Sequence, residues 1–385
     1  MPLIVDAHED LAWNALTFGR DYTRPAHVTR QLEKDTPTPA RNGHTLLGLD
    51  DYRRGRVAVI FATLYATPFR HRSAWETQVY ADSREAHRLY AAQLDSYRRL
   101  ADEHDDFRII GNQKDLQDVL ATWDQPEPAT EAAQDSPADD RPANNPTADD
   151  RTVEGHRIGL VPLMEGADAI EDPDEADWWM ERGLRIVGLA WAGTRYAGGT
   201  REPGPLTPEG RQLLSAMADA GLMLDLAHAS DASYLEALDR FEGVALVSHA
   251  NPRALLKGYP RPERMLSDEM IARLAERGGV IGILLQNRFL KAGWRAGDPR
   301  EAVTLDRAVA MIDHICQVTG SFEHAGLGTD FDGGAGLEGA PAEVDTIADL
   351  QKLGPALRTR GYTEAAITAI LGGNWLRLLQ RGLPA

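Results

Sequence analysis

The chain has 385 residues, 59 acidic against 41 basic side chains, and a formal net charge of −18. That balance excludes a protein that grips the phosphate backbone of nucleic acid, because such binding needs Lys and Arg to displace condensed counterions. At 43% hydrophobic the chain can fill a core, so wholesale disorder is excluded as well.

In chain order, short β-rich apolar runs fall at residues 3–7, 57–65, 158–164, 184–191, 222–227, 244–248, 280–285 and 325–329. Many are apolar at consecutive positions, as expected of parallel strands buried on both faces. Amphipathic stretches lie between them. Thr207-Pro208 reads as an N-cap with proline at the first helical position, opening a helix over 211–220 that stops at Gly221. Ser267 is placed to cap a helix over 268–277 before Gly278-Gly279, and Thr363 one over 364–371. Eight strands with helical connections predict one α/β domain over residues 1–385, a (β/α)8 barrel of the TIM type. A doubly wound open sheet remains the alternative, since periodicity does not separate the two. Residues 124–151, with five prolines and eight acidic residues, read as a flexible surface insertion within that domain. The single cysteine, Cys316, reads as a buried helix residue rather than a nucleophile. No run approaches a membrane span, and no basic-then-apolar leader opens the sequence. The expectation is a cytoplasmic protein without a membrane partner.

Barrel enzymes carry their chemistry at the C-terminal ends of the strands. The first run ends in Asp6-Ala-His8-Glu-Asp10, where His8 and Asp10 share a side of an extended chain, roughly 6–7 Å apart. The third ends in Glu165-Gly166, the fifth in Asp225-Leu-Ala-His228, the sixth in Val247-Ser-His249 and the eighth in Gly328-Thr-Asp330-Phe-Asp332-Gly333. The second, fourth and seventh end without an obvious ligand. Each signal alone is weak, because a histidine after an apolar strand is commonly a hydrogen-bonded core residue. Together they place three of 11 histidines, and several carboxylates, on one rim. Imidazole and carboxylate suit Zn2+, with Mn2+ or Co2+ also accepted. Three histidines and two carboxylates exceed the needs of one tetrahedral catalytic ion, so two ions bridged by Glu165 fit better. Paired ions share and activate a water, which predicts hydrolysis without a serine or cysteine nucleophile.

The residues resemble the membrane (renal) dipeptidase family of zinc peptidases, in its bacterial branch. The resemblance rests on Val5-Asp-Ala-His-Glu-Asp10, Met164-Glu-Gly166, Leu224-Asp-Leu-Ala-His-Ala-Ser230, Val247-Ser-His249, Arg264-Met-Leu-Ser-Asp268, Gly328-Thr-Asp-Phe-Asp-Gly333 and Gly373-Asn-Trp-Leu-Arg377, in the family's order. It implies a (β/α)8 barrel with two Zn2+ per chain that cleaves small unblocked dipeptides, including those with a D-residue at the C-terminal position. On that resemblance His8 and Asp10 hold one ion, His228 and His249 the other, and Glu165 bridges. Asp330 orients the water, passes its proton to the leaving amine or receives the substrate ammonium. Arg264 pairs with the terminal carboxylate, which a guanidinium fork suits. One position departs from the pattern. Where mammalian members carry a histidine that contacts the scissile carbonyl, this chain has Trp191, so the indole, Arg195 or the metals must supply that donor, or the substrate differs. Simple packing is the other account of Trp191. A binuclear hydrolase of another amide, lactam or ester, and a non-catalytic metal-dependent binder, stay open. A lysine-dependent barrel is disfavoured, since Lys257 and Lys291 fall in predicted connections. A homodimer is left open.

Overall fold

The computed structural model describes residues 1–124 and 155–385, and eight parallel strands in it run in sequence order around a barrel. They are β1 (Ile4–Glu9), β2 (Val57–Leu64), β3 (Ile158–Glu165), β4 (Ile186–Gly188), β5 (Met223–Asp225), β6 (Ala245–Leu246), β7 (Ile281–Ile283) and β8 (Ala325–Leu327). Each overlaps one of the expected apolar runs, and every residue in them is buried. β8 pairs with β1 through Asp6↔Leu327, and Val247↔Ile281 joins β6 to β7, so the sheet returns on itself. The (β/α)8 expectation is met and the open sheet is not.

Close backbone approach makes that closure possible. A Cβ on Gly282 or Gly328 would lie 1.9 or 1.8 Å from the carbonyl oxygen of Ser248, so only glycine lets β6, β7 and β8 converge there. Caps follow the sequence expectation at three helices, with Thr363 accepting from the Ala366 amide (3.2 Å) at the start of the third. Thr207 accepts a hydrogen bond from the Gly210 amide (3.0 Å) at the start of Pro208–Ala220, and Gly221 closes that helix at φ +75°. Ser267 accepts from the Met270 amide (3.2 Å) at the start of Asp268–Glu276. The expected helix over 364–371 is shorter. Glu364–Thr368 passes into a π turn, Ala369–Gly373, before Asn374–Gly382. There Gly372 lies so near Leu3 that a Cβ would come within 2.6 Å of its carbonyl oxygen, and the widened turn fits the helix around β1.

The Gly373-Asn-Trp-Leu-Arg377 motif serves the frame rather than the site. Asn374 donates to the Ala325 carbonyl (2.8 Å), and the Trp375 indole donates to the Leu327 carbonyl (2.9 Å), pinning the last helix beneath β8. Sequence patterning missed the three-residue strand Phe107–Ile109, which pairs with β3. Cys316 lies half-buried in the helix Leu305–Thr319 and packs against the core. Of the insertion expected at 124–151, all but Asp124 falls outside the described residues. Among the described residues no helix is long and apolar enough to cross a membrane.

Candidate metal centre

The strand ends bring the expected ligands together. His8 lies on β1 and Asp10 just past it, Glu165 is the last residue of β3, and His228, His249 and Asp330 each follow their strands by three residues. One oxygen of Glu165, Oε1, stands 3.1 Å from His228 Nε2, 3.4 Å from His249 Nε2 and 3.7 Å from His8 Nε2. His8 Nε2 is also 3.9 Å from Asp10 Oδ1. Donor atoms of a tetrahedral shell with bonds of about 2.0–2.1 Å lie roughly 3.3–3.4 Å apart; the separations from His228 and His249 are close to such an edge, and those from His8 are a few tenths of an ångström longer. His8, Glu165 and His249 form one group able to hold a cation, and His8, Asp10 and Asp330 another.

Hydrogen bonds behind the ring fix the histidine tautomers. Ser248 Oγ donates to Asp225 Oδ2 (2.5 Å) and so accepts from His249 Nδ1 (2.8 Å). Thr200 Oγ1 donates to the His228 carbonyl (3.3 Å) and accepts from His228 Nδ1 (3.0 Å). Both rings therefore carry their proton on Nδ1 and present an Nε2 lone pair forward. The two Nε2 atoms are 3.0 Å apart, with an acceptor on each side. Two bare lone pairs at that distance repel, and a cation between them removes the conflict, so the residues present fit a metal.

Electrostatics agree. Burial, reinforced by the nearby Arg264 guanidinium, pulls His8 down to about 3 and holds His228 and His249 well below the ordinary imidazole value, leaving all three neutral. Burial pushes the Asp10 carboxyl up to about 6. It also pushes Glu165 and Asp330 well above the carboxylate range, with the neighbouring carboxyls adding repulsion. Such crowding of acids in a dry site calls for positive charge. Three non-glycine residues here adopt left-handed backbone, His228 (φ +63°), Asp330 (φ +57°) and Asp332 (φ +60°). Strain of this kind persists where the surrounding structure over-determines a side chain's direction.

Strands without an obvious ligand supply supports instead. On β2, Thr63 donates to Asp10 Oδ1. Past β7, Gln286 holds the turn by donating to the Asp330 carbonyl (2.7 Å) and the Gly333 carbonyl (3.0 Å). The long connection over 20–50 braces the same turn from outside. Arg20 Nη1 pairs with Asp332 (2.9 Å), Asn42 donates to the Asp332 carbonyl (2.8 Å), and Tyr22 and Thr45 donate to its carboxylate.

The centre opens into a cavity of about 720 Å3 lined by Trp13, Tyr65, Trp75, Trp191, Tyr259 and Phe289. Arg264 is buried in its wall. One guanidinium nitrogen donates to the His249 carbonyl (2.9 Å), Nε has no partner, and no carboxylate lies within 4 Å among the described residues. Trp191 lines the cavity, with its ring 6.2 Å from that of His228 and 5.2 Å from that of Tyr65. Arg195 does not reach. Its guanidinium donates to the Glu171 carbonyl (2.6 Å) and lies over Tyr196, which removes it as a replacement donor. Lys291 likewise turns away, toward the Ala302 carbonyl (3.4 Å).

The model of the membrane dipeptidase family, peptidase family M19, matches residues 1–382. A protein encoded in the pqqA 5' region of Klebsiella pneumoniae is 27% identical over 241 residues, covering 60% of this chain and 84% of that one. An uncharacterized dipeptidase of Schizosaccharomyces pombe is 31% identical over 180 residues, 47% of this chain and 41% of that one, so this match spans under half the yeast relative's length. A metallopeptidase from Rhodobacter sphaeroides, solved with a phosphinate mimic of the dipeptide L-Ala-D-Ala, superposes with a TM-score of 0.74 over 99% of both chains at 20% identity, a likeness of fold. With the family model spanning nearly the whole sequence, the chain belongs to peptidase family M19, the membrane dipeptidases, a family of metal-dependent dipeptidases.

Proposed function

We propose that this chain hydrolyses small unblocked dipeptides, including those ending in a D-residue, with two Zn2+ ions per chain. The observation that carries the reading is the placing of one Glu165 oxygen within 3.7 Å of three histidine Nε2 atoms. His8 and Asp10 would hold one ion, His228 and His249 the other, and Glu165 would bridge. When bound, such a pair polarises a carbonyl and lowers the pKa of water toward neutrality.

The remaining chemistry belongs to side chains. Arg264, buried and without a carboxylate partner, is suited to fix the substrate's terminal carboxylate by a bidentate, charge-assisted contact. Asp330 reaches the same space and is placed to take a proton and deliver it to the leaving amine, or to hold the substrate's ammonium group. The aromatic wall excludes water around the peptide, and Trp191 lines the cavity where a donor to the scissile carbonyl is wanted.

Reconstitution with zinc is expected to give two ions per chain and hydrolysis of Ala-Ala that chelators abolish, with N-acetylated Ala-Ala spared. Fewer than one ion per chain by elemental analysis would sink the reading. The supporting hydroxyl gives a further expected result. Ser248→Ala unties the His249 tautomer and should weaken zinc affinity by roughly 10–100-fold, read by competition with a chelating dye. Unchanged affinity would mean that the Asp225–Ser248–His249 chain does not orient the ligand.

A further inference from the structure

The net charge of −18 makes the rim of the cavity anomalous. Apart from Asp10, Glu165 and Asp330 in the candidate metal centre, only one carboxylate among the described residues, Glu76, lines the cavity, whereas Arg41, Arg201, Arg261, Arg288 and Arg295 do so in addition to Arg264. Surface arginines elsewhere in this chain commonly pair with acids, as Arg70 does with Glu202 and Arg211 with Glu236. None of the five guanidinium groups at the rim has a carboxylate within 4 Å among the described residues, although the Arg295 amide donates to Asp298 Oδ2 (2.8 Å), and all five residues are solvent-exposed. Five unpaired guanidinia at one mouth repel each other, and an acidic protein has carboxylates enough to quench them.

The geometry orders these groups. Arg288 is held by its Nε–H bond to Gln286 Oε1 (2.9 Å) and lies over the Phe289 ring at 4.6 Å, while Arg264 lies over the same ring at 5.4 Å. Arg288 is near enough to Arg264, Arg201 and Asp330 to act on each of them electrostatically. Arg201 sits over the Trp191 ring at 4.9 Å. Arg264 thus has a second, freely solvated cation beside it on a shared aromatic platform.

We propose that Arg288, seconded by Arg201 and Arg261, forms an anion-selecting subsite that takes the side-chain carboxylate of an acidic residue at the C-terminal position of the dipeptide. This rests on the dipeptidase reading, in which Arg264 fixes the neighbouring α-carboxylate. A guanidinium contact to carboxylate is stronger than one to a neutral amide, and a focused positive mouth also raises the encounter rate of anions at low salt.

The test compares isosteric substrates on the zinc-loaded protein. L-Ala-D-Glu should exceed L-Ala-D-Gln in kcat/KM by at least about ten-fold, mostly through KM, and the ratio should shrink as salt rises. In Arg288→Met the ratio should fall toward one, with part of it restored in Arg288→Lys. A ratio near one in the unaltered protein, or one untouched by Arg288→Met, overturns the proposal. Calorimetric binding of free D-glutamate against D-glutamine gives a readout without turnover. Preference for glutamate that Arg288→Met removes supports the subsite even if no dipeptide is cleaved, in which case the dipeptidase reading falls alone. Equal binding of the two overturns the subsite whatever the activity.

Discussion

Glu165→Gln is expected to lower kcat/KM for dipeptides by at least about a thousand-fold while the metal-free protein unfolds at an unchanged or higher temperature. The substitution keeps the shape of the side chain but removes the negative charge that three imidazoles face at 3.1–3.7 Å. An amide oxygen is a poor bridge between two cations, and losing several kcal/mol of charge stabilisation corresponds to three or more decades in rate. Stability moves the other way. In the metal-free protein burial and the neighbouring Asp10 and Asp330 carboxyls already disfavour ionised Glu165, so a neutral isostere relieves repulsion. Activity assays and zinc content should fall together while thermal unfolding of the chelated protein holds. A variant with full turnover would show that Glu165 does not bridge.

Arg20→Ala is expected to cost about 3–5 kcal/mol of stability, the largest loss from any single change outside the barrel core. The Arg20 side chain is fully buried and serves two carboxylates. Its Nε and Nη2 make paired bonds to Glu33 at 2.8 and 3.1 Å, and Nη1 meets Asp332 at 2.9 Å. Truncation leaves both acids buried without a cation and frees the connection over 20–50 from the turn that carries Asp330. Urea unfolding at constant m-value measures the loss, and a change below about 1 kcal/mol would show that the network tolerates the gap. Dipeptide KM should rise in the same variant, because Arg41 on this connection lines the cavity.

The sequence announces the barrel and its candidate metal ligands for a common reason. Strands buried on both faces must be apolar, so a histidine or carboxylate at the end of each apolar run stands out, as His8, Glu165, His228 and His249 do. Supports are invisible by the same logic. Thr63, Thr200 and Ser248 are ordinary residues in or beside strands, and nothing in a linear pattern says which hydroxyl meets which ligand. The rim arginines come from unrelated connections with no shared period, and only folding gathers Arg41, Arg201 and Arg288. Arg195 misled because nearness in sequence to Trp191 says little in a loop, where each residue turns its side chain differently. The strand Phe107–Ile109 is too short for periodicity to register, and the π turn at Ala369–Gly373 answers a contact with β1 that the helix's own residues do not encode.

The closed ring of strands has a mechanical consequence for the groups it carries. Residues proposed to hold metal are anchored to a hoop whose circumference no single connection can alter, whereas the guanidinia around the opening ride on separate flaps of chain. Exchanging or lengthening one flap would therefore retune which molecules are admitted while the reactive hardware below keeps its dimensions.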